Sequence, residues 1–159
     1  MAKEKHFMIT WPELGISVEC KPAPFNRASY DWYMDHLPLK GIVGHVAVSG
    51  DVAAARLKLS EDLPVLSPGE LKTMPMTEVP VGCGGFRCPV KGATGLGTTH
   101  GRRGGLGIYY GLCTEDMTGG YNFQVVDEDI EKLKKAGAAI KNAIYKTKQI
   151  LTIELSVKK

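Results

Sequence analysis

The chain of 159 residues has no apolar run long enough to span a bilayer. Its opening, Met-Ala-Lys-Glu-Lys-His, carries no apolar core behind its charges, so no secretory signal is expected. Cysteine is scarce. Cys20, Cys83, Cys88 and Cys113 are the full set, and without an export signal they read as reduced thiols of a cytoplasmic protein. Charge is not one-sided either: 20 basic residues against 17 acidic ones leave a net +3. The basic excess gathers near the C-terminus as a solvated helix face and tail, which argues against a dedicated nucleic-acid binder. Disorder is excluded by composition, with 43% hydrophobic and only 23% charged residues. No internal repeat and no linker divides the chain, so residues 1–159 are expected to form a single domain.

What the chain does have is glycine and proline, 19 and 9 of them, against roughly one residue in eight in average proteins. Each is costly inside a helix, so a helix bundle is excluded and short strands joined by turns are expected. Phe7 to Trp11 and Ile16 to Cys20 read as a hairpin around Pro12-Glu13-Leu14-Gly15. Asn26 reads as the N-cap of a helix ending near His36, before Pro38. Ile42 to Ser49 and Ala53 to Leu59 read as a second hairpin, the latter alternating Ala55, Leu57 and Leu59 with Arg56 and Lys58. From about Ser60 to Gly105 the chain is irregular, with short strands expected at Val79 to Val81 and Phe86 to Val90. Its densest glycine segment, 92–105, is expected to be a loop. Leu106 to Leu112 and Tyr121 to Val126 read as strands. Asp127 caps a helix to about Lys146, whose stripe is Ile130, Leu133, Gly137, Ile140 and Ile144. Leu151 to Val157 alternates as a closing strand, expected beside the N-terminal hairpin. About eight strands and two helices predict a mainly β fold, an antiparallel sheet closed on itself.

This order resembles the cyclophilin-like barrels, in particular an uncharacterised bacterial family of small single-domain cyclophilin-like proteins. The motifs that carry the resemblance are Cys20-Lys21-Pro22-Ala23-Pro24, Leu37-Pro38-Leu39, His45-Val46-Ala47-Val48-Ser49-Gly50, Tyr110-Gly111 and Gly120-Tyr121-Asn122-Phe123, with the long final helix and its strand. More distantly, the chain resembles the cyclophilin-like domain of cucumopine-type opine synthases, cofactor-free enzymes that condense an amino acid with a keto acid. The resemblance implies a closed eight-stranded barrel with two helices, although fold alone does not imply function. The Arg, aromatic and Gln signature of peptidyl-prolyl isomerases is missing, since Arg56 and Phe86 stand without its flanking motif.

The candidate catalytic residues are His45, Tyr110 and Asn122. His45 lies on a strand face with small neighbours, Ala47 and Ser49, and imidazole is an acid or base near neutral pH. Tyr110 and Asn122 match family positions; they could donate a proton and orient a carbonyl, or fill the barrel and support a turn. The candidate substrate contacts are Glu19, Ser49, His100, Arg102 and Arg103. Glu19 either faces the barrel mouth beside His45 or is a solvated surface residue. Ser49 lacks a nucleophile-elbow context, so it is not read as a hydrolase serine. His100, Arg102 and Arg103 sit in the glycine segment, where arginine could grip a carboxylate; it lacks the P-loop lysine pattern. Cys83 and Cys88 are spaced more loosely than a zinc knuckle, and Cys113 has no base beside it in sequence, so no metal and no cofactor is expected.

The expectation is a cytoplasmic, cofactor-free acid/base enzyme acting on a small polar metabolite. Hydrolysis, isomerisation and opine-synthase-like condensation all stay open, and a carboxylate on the ligand is expected. The alternative is a non-catalytic binding module or partner subunit, with a homo-oligomer open. Neither nucleic acid nor membrane is an expected partner. The two readings part on geometry: catalysis requires His45, Tyr110 and Asn122 to share one concave pocket.

Overall fold

The computed structural model describes residues 4–46, 49–92 and 103–159. The first hairpin pairs β1 (Phe7–Trp11) with β2 (Ile16–Pro22) around a 3-10 turn at Pro12–Leu14. Gly15 takes the left-handed conformation (φ 62°) that ends that turn. Helix α1 (Arg27–Asp35) follows, then the second hairpin, β3 (Leu39–His45) with β4 (Gly50–Lys58). After β5 (Met74–Pro75) come β6 (Cys83–Phe86), the long β7 (Arg103–Cys113), β8 (Thr118–Gly119) and β9 (Phe123–Val125). Helix α2 (Ile130–Asn142) continues as a π turn over Ala143–Thr147, and β10 (Thr152–Val157) closes the chain.

Eight strands close into an antiparallel barrel in the order β1-β10-β3-β4-β7-β6-β9-β2, while β5 and β8 pair separately. The final strand lies between β1 and β3, as its alternation predicts. Closure follows from inward positions that are apolar on every strand. Phe7, Ile9, Val18, Val43, Ala53, Ala55, Leu57, Ile108, Phe123, Ile153 and Leu155 are all buried in one core.

Each helix fills one region of that core. Tyr33 of α1 stacks on Phe86 with ring centroids 4.1 Å apart, and its hydroxyl donates to the Arg87 carbonyl (2.9 Å). Leu133, Ala136, Gly137 and Ile140 form the buried face of α2, close to the predicted stripe. A Cβ built on Gly137 would lie 2.2 Å from the Tyr110 ring, so only glycine lets α2 descend onto that ring.

The structure departs from the sequence reading in several places. Residues 103–105 of the expected glycine loop belong to β7, β3 runs from Leu39 to His45 and not from Ile42 to Ser49, and Asp127 opens a 3-10 turn without a side-chain cap. Asn26 is left-handed (φ 57°) and does not cap α1 with its side chain. Its amide instead donates to the carbonyls of Lys72 and Tyr121 and accepts from the Lys72 N–H, tying two loops together. The strands expected at Val79 to Val81 and Phe86 to Val90 are replaced by Cys83–Phe86 alone, because Pro80 and Pro89 lack the N–H a ladder needs. Strand β9 starts at Phe123, not Tyr121. No helix is long and apolar enough to cross a membrane among the described residues.

Candidate functional site: a cationic groove beside a histidine–tyrosine pair

Alternation along β3, β4 and β7 sorts their residues onto the two sides of the barrel wall. Val43, Ala55, Leu57, Leu106, Ile108 and Tyr110 go inward. Outward, the ladder brings small residues into one row, with Gly44 opposite Ala54, Ala54 opposite Gly107 and Gly107 opposite Gly85. Above Gly44 lies open space, since a Cβ built there meets no heavy atom within 4 Å. The next row places Ile42 opposite Arg56 and Arg56 opposite Gly105. The row after that sets Lys58 directly opposite Arg103.

Small side chains flanked by long cationic ones make a depression. It opens as a groove of about 910 Å³ lined by residues that include Ile42, Gly44, His45, Arg56, Lys58 and Arg103. A neighbouring groove of about 580 Å³, reaching Val46, Arg87 and Gly107, shares Ala54, Arg56 and Arg103 with it. Arg87 braces this floor by donating to the Arg103 carbonyl (3.2 Å).

His45 is the last residue of β3 and sits half-buried at the rim. Its Nε2 lies 2.9 Å from the Tyr110 hydroxyl, and its Nδ1 lies 3.2 Å from the hydroxyl of Tyr145. Tyr145 comes from the π turn, and its ring meets the imidazole edge-on at 5.3 Å. Behind the pair, Lys141 of α2 donates to Asp51 at 3.1 Å. Burial, and then the positive Lys141, lower the His45 pKa below its ordinary value; Asp51 opposes them. His45 is therefore neutral at physiological pH, with one ring nitrogen free to accept a proton. Burial, and then the Asp51 carboxylate, raise the Tyr110 hydroxyl well above its ordinary value, so Tyr110 stays protonated. A neutral base and a neutral acid thus share one hydrogen bond, an arrangement able to move a proton in either direction.

The other candidates lie apart from this pair. Asn122 is buried; its Oδ1 accepts from the Phe86 N–H (3.0 Å) and its amide donates to the Ser29 hydroxyl (2.7 Å). It thereby joins α1 to β6 and shares no pocket with His45 and Tyr110, so the three-residue catalytic set expected from the sequence is reduced to that pair. Glu19 is on the β2 side of the barrel, where it accepts from His6 (2.6 Å) and from Lys158 and has its pKa lowered by both, Lys158 first. Ser49 is fully buried and donates to Glu115. Arg103 lines the groove, whereas His100 and Arg102 lie outside the described residues. Cys83 and Cys113 are buried, and the Cys88 thiol faces the Phe86 carbonyl (3.2 Å). Among the described residues no group of three or more His, Cys, Asp and Glu side chains could hold a metal ion.

Arg56, Lys58, Asp51, Lys141 and Tyr145 were not among the sequence candidates. The alternation of Arg56 and Lys58 with Ala55 and Leu57 marks them as outward-facing, but their ladder partners lie some 45 residues away and no local pattern reveals them. Arg56 and Phe86 point to opposite sides of the wall. Arg56 is in the groove, while the Phe86 ring packs on Phe7, Tyr33 and Phe123.

No family model matches the chain, and no curated protein does. Among solved structures it is similar to McbB in complex with tryptophan, with a TM-score of 0.73 and 22% identity. The match covers 94% of this chain but 44% of McbB, so this chain spans less than half the length of that protein. That likeness is one of architecture, and with the strand order it establishes the fold as a closed, eight-stranded, cyclophilin-like barrel carrying two helices.

Proposed function

We propose that the protein is a cofactor-free acid/base enzyme acting on a small metabolite that bears a carboxylate. The observation that carries this reading is the 2.9 Å contact between His45 Nε2 and the Tyr110 hydroxyl at the rim of a groove lined by Arg56 and Arg103. The guanidiniums hold the carboxylate, His45 takes a proton, and Tyr110 returns one or polarises a carbonyl. Tyr145 covers the outer nitrogen of His45 and yields to the ligand. Hydrolysis, isomerisation and condensation all use these parts. McbB, the fold neighbour, was solved with tryptophan, an amino acid with a carboxylate, which supports a ligand of this class. The motifs around Cys20 to Pro24 and Gly120 to Phe123 support membership of the small bacterial cyclophilin-like family, and four free thiols suit a cytoplasmic setting.

A thermal-shift screen against amino acids, keto acids, cyclic amides and hydantoins tests the reading, since a ligand of the native state raises Tm by mass action. Turnover of a hit should fall by about 10²- to 10⁴-fold in His45→Gln and Tyr110→Phe. One observation favours a second reading, a binding module without catalysis. Gly44 and His45 alternate along β3, so the imidazole points away from the floor that carries Arg56 and Arg103 and meets a groove ligand only at the rim. Ligand binding that survives in His45→Gln, with no turnover by wild type, selects that module.

A further inference from the structure

We propose that the ligand of this groove is a short dicarboxylate, two carboxylates spaced along a small carbon frame. The inference rests on the carboxylate-binding reading above and specifies it. Lys58 and Arg103 are directly opposite one another across β4 and β7, and Arg56 is two residues from Lys58 on the same face. Like charges directly opposite in a ladder repel and cost stability. Among the described residues no Asp or Glu pairs with Arg56, Lys58 or Arg103. The remaining stretches, 1–3, 47–48 and 93–102, contain no Asp or Glu at all. By contrast, Lys40 on the same groove is neutralised by Glu154 at 2.9 Å.

The arrangement of the three cations selects the kind of anion. They occupy two ladder rows, whose backbone positions are about 6–7 Å apart along β4 and about 5 Å apart across to β7. A single carboxylate cannot meet both ladder rows: seated between Arg56 and Arg103, it leaves Lys58 without a counter-charge. A phosphate concentrates its charge at one centre and is best cradled by unpaired backbone N–H groups. Along the floor β4 is paired on both sides, Ala54 with Gly44 and Gly107 and Arg56 with Ile42 and Gly105, so this strand offers side-chain donors. Two separated carboxylates, one toward Arg56 and one between Lys58 and Arg103, satisfy all three cations. The uncharged strip over Gly44, Ala54 and Gly107 leaves room for the frame that joins them.

The test is titration calorimetry of the intact protein with butyrate, succinate, glutarate and inorganic phosphate. Succinate or glutarate should bind at least ten-fold tighter than butyrate and phosphate. Lys58→Gln should erase most of that preference while leaving butyrate nearly unchanged, whereas Arg103→Gln, which also removes a carboxylate holder, should weaken every carboxylate. A second readout needs no ligand. Both variants should melt above wild type at low salt, with the gap closing at high salt as the repulsion is screened. Equal binding of butyrate and succinate overturns the dicarboxylate inference while leaving the carboxylate reading standing, as does phosphate binding as tight as either dicarboxylate. Failure of every carboxylate to bind overturns both. A Lys58→Gln protein that melts below wild type at low salt removes the repulsion on which the inference is built.

Discussion

Gly44 stands opposite Ala54 in the β3–β4 ladder, and nothing lies above it within 4 Å of where a Cβ would be. Its φ is not positive, so a larger residue meets neither strain nor a clash. Gly44→Leu is therefore expected to fold normally, with stability within about 1 kcal/mol of wild type, since glycine is itself a weak strand residue. The leucine would occupy the groove floor and abolish ligand-induced thermal shifts. A Gly44→Leu protein that still responds to the same ligand would move the site off this face.

His45 and His36 should make opposite contributions to stability as pH changes. His45 has a lowered pKa, so the unfolded chain takes up that proton first as pH falls through the ordinary imidazole range, about 6.5. Its contribution is fully present above that value and is lost below it. His36 has a raised pKa: burial opposes protonation, but the Trp32 carbonyl and the Glu61 carboxylate outweigh it. Its contribution is present below the ordinary value and lost as pH rises through the folded one. Melting curves of His45→Gln should thus flatten the acid side near pH 6, and those of His36→Gln should lower Tm most at acid pH. Identical pH profiles for wild type and His45→Gln would refute the lowered pKa.

Asn122→Ala is expected to damage the fold and spare the groove. It leaves the buried Phe86 N–H without its acceptor and removes the donor to the Ser29 hydroxyl, which keeps its bond to the Asn26 carbonyl (2.8 Å). Stranding such groups costs about 1–3 kcal/mol, or roughly 2–4 °C in Tm for each kcal/mol in a chain of this size. Ligand affinity measured below Tm should be unchanged. Lost binding with an unaltered Tm would restore Asn122 as a ligand contact.

Acid should loosen the start of α2 first. Asp129 accepts from the Glu19 N–H (2.8 Å) and from Lys132 (2.7 Å), while Glu19 accepts from His6 and Lys158. Both carboxyls have lowered pKa values; for Asp129 burial opposes, but Lys132 and the Glu19 N–H prevail. Their stabilisation is present above the ordinary carboxylate range and is lost as pH falls through the folded values. Asp129→Asn should cost about 1–2 kcal/mol at neutral pH and shrink the loss seen between pH 5 and 3. An equally steep acid limb in the variant would place the titration elsewhere.

Much of this barrel could be read from local pattern. The first hairpin, α1, the second hairpin and α2 announce themselves through alternation, turn residues and the Leu133–Gly137–Ile140 stripe, and the closing strand through Leu151 to Val157. His45 and Tyr110 were singled out as residues, but their contact joins positions 65 apart and depends on barrel register. Asn122 and Glu19 show the limit more sharply. Their side chains are chemically suited to a site, yet Asn122 is engaged under α1 and Glu19, mid-way along β2, against His6. Arg56 and Lys58 read as plain solvated positions until the ladder sets Arg103 opposite Lys58. The Tyr145 contact depends on a π turn that no helical periodicity announces.

Because Gly44 and His45 are consecutive in β3, a single thickness of backbone parts the groove floor over Gly44 from the imidazole at the rim. An electric field crosses that layer. An anion resting over Gly44 favours the imidazolium form of His45 without touching it, so filling the groove draws in a proton. The linkage runs both ways: whatever protonates His45 tightens the hold on the anion by the same factor. The wall of the barrel thereby acts as the insulating layer of a small capacitor, storing on one face the charge that arrives on the other.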